Sequence, residues 1–103
     1  MLEETLKIKN MRSLDWIRTP RGTSGLYKFE NLEGQKVLAV ISNSQFYKKR
    51  KEEVKLFKKI LKYNPEGPNV LGFEKKKKQT VILLEWKENL FMDKIVYYYS
   101  HNE

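Results

Sequence analysis

From Gly25 the chain alternates: Leu26, Lys28 and Glu30 fall on one side of an extended segment, Tyr27 and Phe29 on the other. That is the period of two a strand requires. Glu33-Gly34-Gln35 interrupts the pattern before Val37-Leu38-Ala39-Val40-Ile41, so the two runs predict an antiparallel hairpin. The second run is almost entirely apolar, which predicts a central strand covered on at least one face. The period then changes. From about Gln45 to Tyr63, Val54, Phe57, Ile60 and Leu61 recur every three or four residues as a single helical stripe. Lys48, Lys51, Lys55, Lys58, Lys59 and Lys62 mostly point elsewhere. Ser42-Asn43-Ser44 offers capping side chains at the start of this helix, and Asn64-Pro65-Glu66-Gly67-Pro68 ends it.

Val70 to Phe73 and Thr80 to Leu84 predict two more strands around a lysine-rich turn, Lys75 to Lys78. The turn reads as a solvated hairpin tip, with phosphate binding as the alternative. Leu6, Ile8 and Trp16 suit a first strand, followed by a turn at Thr19-Pro20-Arg21-Gly22. Asn89 to Tyr99 fits a short helix, and Tyr97-Tyr98-Tyr99 fits a strand equally. The order predicts an α+β fold: a mainly antiparallel sheet of about five strands with one long helix packed on it.

Composition narrows this picture little. At 103 residues the chain is expected to form one domain, 1–103. No cysteine is present, which removes disulfides and thiolate metal sites. No apolar stretch approaches the ~20 residues of a membrane span, and Met1 to Asn10 is too polar for a secretory signal. The expectation is a soluble cytoplasmic protein without a membrane partner. Basic residues outnumber acidic ones 21 to 13, giving a net charge of +8. That balance suits nucleic acid, anionic lipid or an acidic protein, and equally a lysine-solvated surface.

The words of the chain, in order, are Gly22-Thr23-Ser24-Gly25, Ala39-Val40, a basic helix with Glu53-Val54-Lys55-Leu56-Phe57, Pro68-Asn69-Val70-Leu71 and Leu84-Glu85-Trp86. From about 22 to 95 they resemble the small N-terminal lobe of a protein kinase: glycine-rich hairpin, lysine strand, helix C, strands four and five, and hinge. Trp16-Ile17 and Leu26-Tyr27-Lys28, added to these, look most like the mixed-lineage kinase domain-like pseudokinases. The chain departs from the family at the decisive place. The V-A-I-K strand ends here in Ile41, and an aliphatic side chain offers no charge to a phosphate. Glu53, in the place of the helix-C glutamate, is then expected to pair on the helix surface with Lys49 or Arg50. The catalytic loop and metal-binding motif of the large lobe have no counterpart.

The resemblance therefore implies a non-enzymatic lobe mimic without cofactor, metal or catalytic residues. A lobe without its large partner would leave Leu84, Trp86, Phe91 and Met92 uncovered, and exposed apolar patches of that kind mark interfaces. The implied partner is a protein kinase or kinase-associated protein whose signalling the chain inhibits, as a viral antagonist of a host defence kinase in the host cytoplasm would. A second copy of the chain is another possible occupant. Lys55, Lys58, Lys59 and Lys62 join the partner-binding set, with nucleic acid as the competing ligand. A second likeness, to GIY-YIG nucleases, would draw on Tyr27, Arg50 and Glu85. His101 is given no chemistry, and Trp16 and Trp86 are read as core or interface anchors rather than base-stacking platforms.

Overall fold

The computed structural model of the chain describes residues 12–18, 24–30 and 33–101. The predicted leader strand falls partly outside them: Leu6, Ile8 and the Thr19 to Gly22 turn are not described. Trp16 lies in strand β1, Arg12–Arg18. Next come β2, Ser24–Glu30, and β3, Lys36–Asn43. A short 3-10 turn, Ser44–Phe46, leads into helix α1, Tyr47–Tyr63. Strands β4, Val70–Lys75, and β5, Gln79–Glu85, precede helix α2, Leu90–His101.

The fold is α+β, an antiparallel sheet with two helices. Strands β2, β3, β5 and β4 form its continuous centre, and β1 pairs with β2 at one edge, giving the order β1-β2-β3-β5-β4. The run predicted to be central is central: β3 pairs with β2 on one side and β5 on the other, and its residues from Val37 to Ser42 are all buried. Gly34 adopts φ of 84° in the turn before β3, a left-handed conformation that only glycine takes readily.

Alternation along the strands builds two apolar clusters, one on each face of the sheet. On the helix side Leu26, Leu38, Val40, Ile82 and Leu84 meet Val54 and Phe57 of α1 and Met92, Ile95 and Tyr99 of α2. On the other side Phe29, Val37, Ala39, Ile41, Val81 and Leu83 are buried together. Both helices thus share one face, with α1 against β4 and β5 and α2 against β2.

The 3-10 turn changes the expected capping. The Asn43 side chain accepts a hydrogen bond from the Gln45 amide at 3.0 Å, which caps the turn and leaves α1 without a side-chain cap. Ser42 points inward instead, to Arg50. The stop is as the prolines and glycine require, with Asn64 closing α1 and Gly67 turning beneath it. A Cβ on Gly67 would stand 2.8 Å from Ile60 Cγ2 and 3.1 Å from the Asn64 carbonyl oxygen.

Candidate functional site

The terminal helix overturns part of the expected docking surface. Leu84 is fully buried and Met92 nearly so, because α2 folds back over the sheet, covering Leu84 and turning its own Met92 into the core. Trp86 is half-buried against the same core. Its indole N–H donates to Glu88 Oε1 at 2.8 Å, and the Lys28 ammonium stands 4.0 Å from the ring centroid. Phe91 lines a cavity.

That cavity is a groove of about 340 Å³ between the two helices. Leu56, Phe57 and Ile60 of α1 face Phe91 and Ile95 of α2, with Pro68 from the loop after α1. Its wall is almost wholly apolar; Glu53, Lys94 and Tyr98 supply the polar rim. Leu56 is 53% exposed, a large aliphatic side chain left open to water beside the groove. The loop carrying Pro68 is tied to the start of α2. Lys87 Nζ donates to the carbonyls of Pro65 and Gly67 at 3.1 and 2.8 Å, and Asn89 Nδ2 donates to that of Glu66 at 2.9 Å. The Asn89 side chain also accepts from the Met92 amide at 3.0 Å, so one residue caps α2 and holds the groove loop.

Behind the groove the helices are joined by a buried polar clamp. Arg50, fully buried, donates through Nε to Ser42 Oγ at 2.9 Å and through Nη1 to both Glu53 oxygens at 3.0 and 3.2 Å. The Tyr98 and Tyr99 hydroxyls donate to the same carboxylate at 2.7 and 2.8 Å. The guanidinium also lies over the Phe46 and Tyr99 rings. Burial, and then the neighbouring Glu53 carboxylate, holds the Tyr99 hydroxyl far above its ordinary ionisation range. The expected Arg50–Glu53 pair therefore exists, but as an interior joint between α1, β3 and α2 rather than a surface ion pair.

The nuclease trio is not brought together. Tyr27 and Glu85 lie with the residues of the face opposite the helices, and Arg50 is engaged on the helix side. Ile41 sits on that opposite face too, away from Glu53. A lysine in its place would have the sheet between it and the helix glutamate. Among the described residues no group of three or more His, Cys, Asp or Glu is arranged to hold a metal, and no helix is long and apolar enough to cross a membrane.

Lys55, Lys58, Lys59 and Lys62 are exposed along α1, on the side away from the core. Sequence reasoning missed Leu56, Ile60, Pro68 and Tyr98 as groove residues, along with Lys87 and Asn89 that hold them. Leu56 was the available signal, since it widens the apolar stripe of α1 beyond what the sheet can cover. The sequence matches no family model and no curated protein.

Proposed function

We propose that this chain is a non-enzymatic docking module that binds one protein partner in the groove between α1 and α2. The observation that carries the reading is the groove itself: an apolar trough the size of one or two side chains, flanked by half-exposed Leu56. Burying one Leu or Phe from a partner there contributes about 1.5–3 kcal/mol. Lys94 on the rim and the net charge of +8 favour a partner that carries acidic residues beside its apolar anchor.

The kinase-lobe form of this reading makes the partner a protein kinase or a kinase-associated protein, with docking as inhibition. The order of elements supports it: three strands, a long helix, then two strands. The orientation of Ile41 weighs against carrying the likeness down to the lysine and its glutamate.

The test uses a photo-crosslinking residue at position 94, on the groove rim. Crosslinking to a partner that Leu56→Asp abolishes, with the melting temperature unchanged, supports groove docking. Recovery of the same partner by the Leu56→Asp variant overturns it. A kinase or kinase complex among the products selects the narrower form. Millimolar Mg-ATP is expected to leave the melting temperature unmoved, since Ile41 offers no phosphate contact; a clear rise contradicts the non-enzymatic reading.

A further inference from the structure

The positive charge of this chain is segregated. On an α-helix at ~100° per residue, Lys48, Lys51, Lys55, Lys58, Lys59 and Lys62 fall within an arc of about 100°. They run from the first turn of α1 to the last, roughly 21 Å at 1.5 Å per residue, and all six are exposed. Tertiary structure adds a second run. The β4–β5 turn, Lys75 to Lys78, is drawn beside the start of α1: the Ser44 amide donates to the Lys78 carbonyl at 3.1 Å, and the Lys75 ammonium lies 5.0 Å from the centroid of the Tyr47 ring. Tyr47 in turn stacks on Phe73 of β4, ring centroids 5.5 Å apart.

Ten lysines in this ridge and turn stand against Glu52 and Glu74, an excess of eight that equals the net charge of the whole chain. The rest of the sequence is balanced, so lysine here is not spread as a general solubilising coat. The arrangement also opposes the stability of its own helix. Lys51 and Lys55, Lys55 and Lys59, and Lys58 and Lys62 repel at i,i+4. No acidic residue occupies the first turn, where the helix dipole favours one.

We propose that this ridge binds the phosphate backbone of double-helical nucleic acid, independently of the groove. A straight row of ammonium groups without fixed side-chain geometry matches a line of phosphates rather than individual bases. The ridge carries no aromatic or aliphatic side chain within its arc, so it has neither a stacking platform for single strands nor an apolar face to enter a bilayer. Over roughly 21 Å it runs beside about six base pairs at 3.4 Å each. Binding is therefore sequence-independent and strongly salt-dependent. The ridge and the groove occupy different sides of α1, so a protein partner and a duplex can be held together.

Fluorescence anisotropy with labelled 20-base-pair DNA and RNA duplexes, across a salt series, tests this. Four to six phosphate contacts give a slope of log affinity against log salt of about −4 to −5. Replacing Lys51, Lys55, Lys58 and Lys62 by Gln is expected to lower affinity at least tenfold and flatten the slope by about three to four. Leu56→Asp, the groove variant, is expected to leave duplex binding within about twofold. A shallow slope in the wild type, or unchanged binding by the fourfold variant, overturns the proposal. So does equal affinity for polyglutamate, which would make the ligand an acidic protein, or stronger binding to anionic vesicles.

Discussion

Helix α1 carries charge in two opposite ways. Facing inward, Arg50 and Glu53 are held by each other, by Ser42 and by two tyrosine hydroxyls, the arginine wholly out of water and the carboxylate mostly so. Facing outward, the six lysines of the ridge stand in solvent, with Glu52 the acidic partner of Lys55 at 3.5 Å. The first set cannot lose a member without stranding a buried charge; the second loses almost nothing by losing one. Charge placed inside serves the fold, and charge crowded outside, at some expense to helix stability, is available to a ligand.

The largest effect expected comes from breaking the interior set. Removing one partner of a buried pair costs about 3–5 kcal/mol, so Glu53→Ala should lower stability by that order in a denaturant titration. Arg50→Ala should behave alike, and the double variant should cost far less than the two singles together, because the stranded partner has gone. Additive losses would mean that the clamp is not one unit.

A smaller effect concerns alkaline pH. The Tyr99 hydroxyl is held well above its ordinary pKa of 10.0 by burial and by Glu53. The unfolded chain therefore releases this proton at a pH where the folded chain keeps it. The stability that follows is full below about pH 10 and is lost as pH rises beyond it. Tyr99→Phe should cost about 1–2 kcal/mol near neutrality through the lost hydrogen bond and make the fall of stability above pH 10 shallower. An identical alkaline slope in both proteins would place the pH dependence elsewhere.

The smallest effect has the opposite sign. Lys58→Glu places an acidic residue four positions before Lys62 and three after Lys55, the arrangement that stabilises helices by about 0.2–0.5 kcal/mol per pair. Thermal unfolding should show a small gain, while duplex binding falls. A loss of stability instead would mean that the ridge lysines already have a structural role.

The periods of two and of three to four residues set the strands and the long helix, because apolar residues on one edge or stripe have to meet a partner surface whatever the topology. So β3 as the central strand, the stop at Asn64 to Pro68 and the α+β class were legible in the sequence. What covered Leu84 and Met92 was not legible. Asn89 to Tyr99 suits a short helix by its local pattern and Tyr97-Tyr98-Tyr99 a strand equally, and docking on the sheet face decided for helix. The face on which Ile41 points follows from strand pairing, which a motif word cannot specify because one residue of register reverses every side chain. The groove needs two helices laid side by side, and the continuous lysine surface needs the turn at Lys75 to Lys78 folded against Ser44 and Tyr47. Local chemistry determined the strands and the long helix; contacts between residues far apart in sequence decided the form of the last element, and which faces were buried and which were left for a partner.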